Sequence, residues 1–331
     1  MKHCISVLAL LFAAAGLSQT ITPITSFQPS TYLGVGSWIS DDGTTGSYSS
    51  YTTVSSYGWE TVQNRDGQLY YFESALTVDD NGFFAAEVTD NSDPNNPITY
   101  EGFGSCGSIQ CQLIVPLNNG ILRQGMVIDT TDNSVYIFGS FDFNDGTPNV
   151  QWEGIGLPVF ATDSESDSDE EDSDFDDEDS DFGDDDSYAD SITPMLGFNP
   201  GHYIGSGASL ADDGTALSFQ GFLDLEYSSW TSVVFGLGNL KVAESSLFFD
   251  DYGFFFITIT DASDPTNPVS YDGSGNCGSS QCQITIPLDN GIVQSNIVFS
   301  QDQSSIYAFG GAYFNDGTPN VQWEDSGILL P

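Results

Sequence analysis

Between positions 163 and 190 stand seventeen carboxylates and no basic residue: Asp163, Glu165, Asp167, Asp169, Glu170, Glu171, Asp172, Asp174, Asp176, Asp177, Glu178, Asp179, Asp181, Asp184, Asp185, Asp186 and Asp190. Carboxylate oxygens are ligands for hard divalent cations, Ca2+ above all. Repulsion between such crowded charges, with only Phe175, Phe182 and Tyr188 offering apolar surface, predicts a segment that does not fold alone. Single flexible carboxylates bind calcium weakly, in roughly the millimolar range of extracellular modules. Many of them on one string give avidity for a surface that presents many cations. The expectation is weak, multivalent Ca2+ binding and no tightly bound cofactor; the plain alternative is a solubilising linker. Neutralising the run would compact it and draw together whatever it connects. Serines at 164, 166, 168, 173 and 180 add candidate phosphorylation sites, Ser168-Asp169-Glu170 having the Ser-x-Glu form.

The rest of the chain is acidic too. The formal charge is −44, and the basic residues number four: Lys2, Arg65, Arg123 and Lys241. With no basic patch to displace counterions from phosphates, nucleic acid is excluded as a partner. Anionic membrane surfaces are excluded for the same reason. Cations such as calcium, cationic proteins or a positively charged mineral surface are the expected partners.

Residues 1–18 read as a secretory signal peptide, with Lys2 and His3 before the apolar stretch from Ile5 to Ala15 and small residues at Gly16 and Ser18. Export from the cell is therefore expected. In an oxidising compartment the two C-x4-C pairs, Cys106 with Cys111 and Cys277 with Cys282, predict two local disulfides. A zinc site would need the two pairs to converge.

The chain is a tandem repeat. Residues 21–160 and 192–331 align without a gap at a constant offset of 171, with Trp59 matching Trp230, Cys106 matching Cys277, and PNVQWE present in both. The acidic segment 161–191 is the expected disordered connector between two copies of one domain, each long enough for its own core. Within a copy, β-branched and aromatic runs at 31–39, 67–78, 82–88, 112–117, 120–128, 134–143 and 149–157 predict strands. Asp-Gly, Asn-Gly and Pro-rich turns separate them, and no helical periodicity follows the leader. The fold class is all-β, with eight to ten antiparallel strands per copy. A barrel or a sandwich fits, the short turns favouring a meandering barrel.

Other candidates have structural explanations. Asp41, Asp42, Asp79, Asp80, Asp93 and Asp145, with their second-copy counterparts, suit turns, and none fits a spaced EF-hand loop. Glu73 and Glu244, and Glu153 and Glu324, suit outward strand positions. Phe83–Phe84 and Phe254–Phe256 suit the core. Beyond the leader the one histidine is His202, matched by Thr31, so no histidine triad can recur in both copies, and an enzyme is not expected.

A secreted, Asp-rich chain with a tandem β-domain and an acidic tract between the copies resembles the acid-rich proteins of the coral skeletal organic matrix. The resemblance is carried by the run at 163–190 and by stretches such as DDYGFFFITITD at 250–261. It implies retention in the extracellular matrix of a calcium carbonate skeleton, with that mineral and other matrix proteins as partners, and a part in biomineralisation. A second likeness, to lipocalin-type barrels, rests on Gly36-Ser37-Trp38; the second copy departs from it with Gly207-Ala208-Ser209. That likeness implies the alternative of a secreted small-ligand carrier.

Overall fold

The computed structural model of the protein describes residues 20–159, 192–236 and 239–331. The leader, 1–18, and all seventeen carboxylates of the 163–190 run lie outside the described residues.

Each copy forms a closed, ten-stranded antiparallel barrel in which sequence neighbours pair and the last strand closes on the first. The first barrel comprises β1 (Ser30–Ser40), β2 (Thr45–Ser55), β3 (Gly58–Arg65), β4 (Gln68–Val78), β5 (Phe83–Asp90), β6 (Ile98–Cys106), β7 (Gln110–Leu117), β8 (Gly120–Ile128), β9 (Val135–Phe143) and β10 (Val150–Pro158). The second comprises β11 (Gly201–Ala211), β12 (Ala216–Glu226), β13 (Ser229–Gly236), β14 (Asn239–Phe249), β15 (Phe254–Asp261), β16 (Val269–Cys277), β17 (Gln281–Leu288), β18 (Gly291–Phe299), β19 (Ser305–Phe314) and β20 (Val321–Leu329). The choice between barrel and sandwich is settled by closure: β1 pairs with both β2 and β10, and β11 with both β12 and β20. Closure leaves no edge strand to attract another chain.

The seven expected strand segments all fall in strands, and β2, β3 and β6 are additional. Alternation along each strand sends one set of residues into the lumen and the other outward. Both expected disulfides are formed, each joining directly opposed residues of adjacent strands: Cys106 with Cys111 across β6–β7, and Cys277 with Cys282 across β16–β17. The segment before each barrel crosses one end and plugs it. In the first copy the Ile24 amide donates to the Gly107 carbonyl (3.0 Å) and the Phe27 amide to the Ser56 carbonyl (3.1 Å). Phe27 is thereby set edge-on against Trp59. Met195 and Phe198 make the matching bonds to Gly278 and Tyr227 in the second copy.

The barrels are packed together, wall against wall, through β6–β10 of one and β16–β20 of the other. The contacts obey a pseudo-two-fold relation. Gln151 Nε2 donates to the Tyr252 carbonyl (2.8 Å), and its counterpart Gln322 donates to the Asn81 carbonyl (2.6 Å), Asn81 being the counterpart of Tyr252. Glu153 accepts from the Ser279 amide (3.0 Å); Glu324 accepts from the Ser108 amide (2.9 Å) and hydroxyl (2.6 Å). Phe138 meets its own counterpart, Phe309, with ring centroids 6.3 Å apart, so the axis passes between them. Glu153 and Glu324 face out of their own barrels as expected, but into this interface rather than into solvent.

Symmetry breaks most clearly at one pair of positions. The first barrel contributes a buried ion pair between Arg123 and Asp142. The counterparts are Gln294 and Tyr313, and the Tyr313 hydroxyl lies 2.9 Å from both the Ser105 hydroxyl and Gln112 Nε2. Domains already joined by buried polar contacts do not need a contracting connector to bring them together.

Candidate functional site

A ten-stranded barrel is wider than the eight-stranded kind whose side chains just fill it, so its lumen must be either packed with large residues or left open. The two copies take different courses. In the second barrel the inward residues are sealed: Tyr203 1%, Leu223 1%, Leu225 3%, Trp230 3%, Ala243 1%, Ile297 3% and Ala308 0% exposed. Their counterparts in the first barrel, Tyr32, Thr52, Val54, Trp59, Phe72, Met126 and Ile137, point inward at equivalent positions yet are only half-buried. Inward side chains of a closed barrel can keep contact with water only if water reaches the lumen. The first lumen is therefore open, and the end opposite the Ile24–Phe27 plug is the one bounded by the β1–β2 and β3–β4 turns.

Polar residues line that open part. Along β3 the inward set is Trp59, Thr61, Gln63 and Arg65, and along β2 it includes Tyr48, Ser50 and Thr52. Thr52 and Thr61 hydroxyls share a hydrogen bond of 3.0 Å across the two strands. The β3–β4 connection is the two-residue turn Asp66-Gly67, with φ of 49° and 81°, the left-handed pair that a tight hairpin requires. This turn fixes the register that places Arg65 directly opposite Tyr48 and Gln68. Arg65 Nε donates to Gln63 Oε1 at 2.8 Å, and the guanidinium lies over the Tyr70 ring, 5.4 Å from its centroid.

Burial lowers the Arg65 pKa, with Tyr48 and Tyr70 opposing the shift and no carboxylate contributing. Burial likewise pushes the Tyr48 hydroxyl far up, so it stays a donor at any physiological pH. The Tyr48 ring crosses the barrel wall over Gly36 and Gly154; a Cβ on either glycine would run into it. Starting from Arg65, one row of opposed residues thus reads Tyr48, Gly36, Gly154, Ile137, Met126 and Cys111. It carries a cation at one end and apolar side chains at the other, with the Tyr48 ring lying between them.

The same row in the second barrel reads Phe219, Gly207, Asp325, Ala308, Ile297 and Cys282, and the sequence counterpart of Arg65 is Gly236. Tyr48 and Gly154 are replaced together by Phe219 and Asp325, so a hydroxyl from one strand gives way to a carboxyl from another. Asp325 is 1% exposed and neither of its oxygens meets a hydrogen-bond donor. Burial, with Glu324 adding to it, holds this carboxyl well above the usual carboxylate range.

The expected acidic-turn residues are brought together only in part. Asp41 and Asp250, from opposite barrels, come close enough that Asp41, after burial, helps raise the Asp250 pKa. On the other flank, Asn81 donates to the Asp212 carbonyl at 3.0 Å. Among the described residues, no three His, Cys, Asp or Glu side chains are placed to hold a metal ion. Glu73 and Glu244 are exposed. A separate recess of about 750 Å3 opens at the Asp212 flank of the interface, with Phe83, Phe103, Ile114, Ile121, Ile292 and Tyr313 among its lining. Sequence reasoning passed over Arg65, Tyr48, Gln63 and Tyr70. The available signal was the rarity of cations in this chain together with the Arg65–Gly236 mismatch between the copies.

No protein-family model matches the chain, and no curated protein matches it. Among solved structures it is similar to a protein of unknown function of the DUF3598 family from Nostoc punctiforme, at 9% identity over 91% of this chain and 96% of that one, TM-score 0.40. It is also similar to transferrin binding protein B from Haemophilus parasuis (8% identity, 93% of this chain and 78% of that one, TM-score 0.20). A third is the haemoglobin receptor from Kingella denitrificans (11% identity, 97% and 94%, TM-score 0.19). None of these overlaps bears on what the chain binds.

Proposed function

We propose that this protein is an exported small-ligand carrier in which the first barrel binds and the second supports. The observation behind the reading is the asymmetry of burial: equivalent inward positions retain solvent contact in one barrel and are sealed in the other. A lumen that mixes apolar walls with a few fixed polar groups has the usual makeup of a ligand site. The Cys106–Cys111 and Cys277–Cys282 disulfides suit an oxidising, extracellular setting. The test is titration of the full chain with a neutral apolar fluorophore such as N-phenyl-1-naphthylamine. Saturation near one probe per chain, weakened by Thr52→Trp, is expected; absence of saturable binding would reject the carrier reading.

A second reading attaches to the run at 163–190, whose seventeen carboxylates give it a chemistry of its own. It is a weak, multivalent collector of Ca2+ that holds the protein on calcium carbonate, with the packed barrels as a compact acidic body behind it. The two readings are compatible, since one concerns a lumen and the other a tether. Deleting 163–190 should remove most calcium uptake and adsorption to calcite while leaving probe binding intact. Uptake that survives the deletion would move calcium binding elsewhere in the chain.

A further inference from the structure

If the first lumen is a ligand site, its residues also say what kind of ligand. Among the described residues Arg65 has no carboxylate partner, although the chain carries 48 Asp and Glu. An arginine inside a barrel without a counter-charge is unfavourable unless something else supplies it. Among the described residues only its Nε is committed, to Gln63, and no hydrogen bond occupies the terminal nitrogens, the fork that grips planar acids in a bidentate manner. Tyr48 stands on the neighbouring strand at the directly opposed position, its ring reaching away from Arg65 over Gly36 and Gly154. Across the lumen in the same row stand Ile137 and Met126, half-buried and able to cover a hydrocarbon or aromatic body.

We infer that the first lumen takes an amphipathic organic acid, its single carboxylate held by the Arg65 fork and its apolar body running past the Tyr48 ring to Ile137 and Met126. One cation sets the ligand's charge at one. A phosphate dianion would leave a negative charge uncompensated in an already acidic protein, whereas a monoanionic acid is neutralised. The second barrel cannot take the same ligand. At the Arg65 position it has Gly236, its row carries the carboxyl of Asp325, and its lumen is filled.

The inference rests on the carrier reading, and one experiment separates their failures. The full chain is titrated with cis-parinaric acid and, in parallel, with the corresponding alcohol. The acid should bind at least about tenfold more tightly, the worth of a charge-assisted hydrogen-bond pair. Arg65→Gln should erase that gap while leaving the alcohol's affinity within about twofold, and Arg65→Lys should restore only part of it. Equal affinities in the unaltered protein would overturn the inference and leave the carrier reading standing, with no variant needed. A gap that survives Arg65→Gln would overturn the role of Arg65. Failure of both probes to bind would overturn the carrier reading itself.

Discussion

The two barrels share strand order, disulfide, plug and most turns, and they differ in what fills them. The second buries a continuous apolar core running from Phe198 and Trp230 through Ile257 and Ile284 to Trp323. The first has a smaller buried cluster around Phe27, Leu76, Phe84 and Leu113, lying toward the plugged end, while its other end is lined by Tyr48, Gln63, Arg65 and Tyr70. Duplication supplies two scaffolds where one suffices for stability. The copy that keeps large apolar residues facing inward holds the pair together, and the other is free to exchange packing for polar groups. Arg65 with Tyr48 in one lumen and Asp325 with Phe219 in the other show how few substitutions in a shared row exchange a cation for a buried carboxyl.

The largest expected effect sets equivalent tryptophans against each other. Trp230→Ala should destabilise by about 3–5 kcal/mol, as for a fully buried aromatic, and Trp59→Ala by about half as much or less. Urea unfolding of the two variants measures this directly, and equal losses would mean the first lumen is as tightly packed as the second. At the interface, Gln151→Ala strands the Asn276 amide and the carbonyls of Tyr252 and Cys277, all of which Gln151 now satisfies. It should cost about 2–3 kcal/mol, against about 1 kcal/mol for Gln322→Ala, which loses its bond to Asn81. Identical losses would show that the pseudo-two-fold axis is more symmetric in energy than in contacts.

Asp325 gives the second barrel a pH dependence that the first lacks at that row. Its folded pKa is raised, so between the unfolded value of about 3.9 and that higher value the folded state holds a proton that the unfolded chain releases. Stability from this group is therefore greatest in acid and declines as pH rises through the window. Asp325→Asn should raise the Tm at pH 7, leave it little changed near pH 4, and flatten the profile between; an unchanged profile would place the carboxyl in contact with water. The smallest effect is one in which the barrels should agree. Asp145, held chiefly by Asn119 and Thr147, and Asp316, held chiefly by Thr318 and Asn290, both have pKa values of about 2. Their depressed values add stability above the unfolded pKa that is lost as pH falls toward 2. Asp145→Ala and Asp316→Ala should give small and equal losses at neutral pH, both vanishing in acid.

Much of this architecture is legible in residue order. The turns announce themselves through Asp41-Asp42-Gly43, Asp79 to Gly82 and Asn144 to Pro148, and the C-x4-C spacing foretells a hairpin bridge. The apolar strands are evident because their inward and outward residues differ in character. β2 was not among the expected segments, since Thr45–Ser55 is nearly all Ser, Thr, Tyr and Gly, with little contrast between its two faces. The cause is the same one that leaves the lumen open: its inward residues are polar. The site was hidden for a related reason. Whether Arg65 points into the barrel or into solvent depends on parity along β3 and on the Asp66-Gly67 turn, and a shift of one residue would reverse it. Glu153 was correctly placed on the outward face, but nothing near it in sequence reveals that a second barrel covers that face.

Sequence alone determined the repeat, the alternation of strand and turn, the two disulfides, the strong negative charge and the crowding of carboxylates at 163–190. These follow from composition and from interactions spanning a few residues. Tertiary structure alone decided that ten strands close, that the barrels join across a pseudo-two-fold axis, and that one lumen stays open while its duplicate fills. Closure pairs residues more than a hundred positions apart, as Trp38 with Trp152, and filling depends on the summed volume of side chains from all ten strands. Neither quantity exists until the chain has folded.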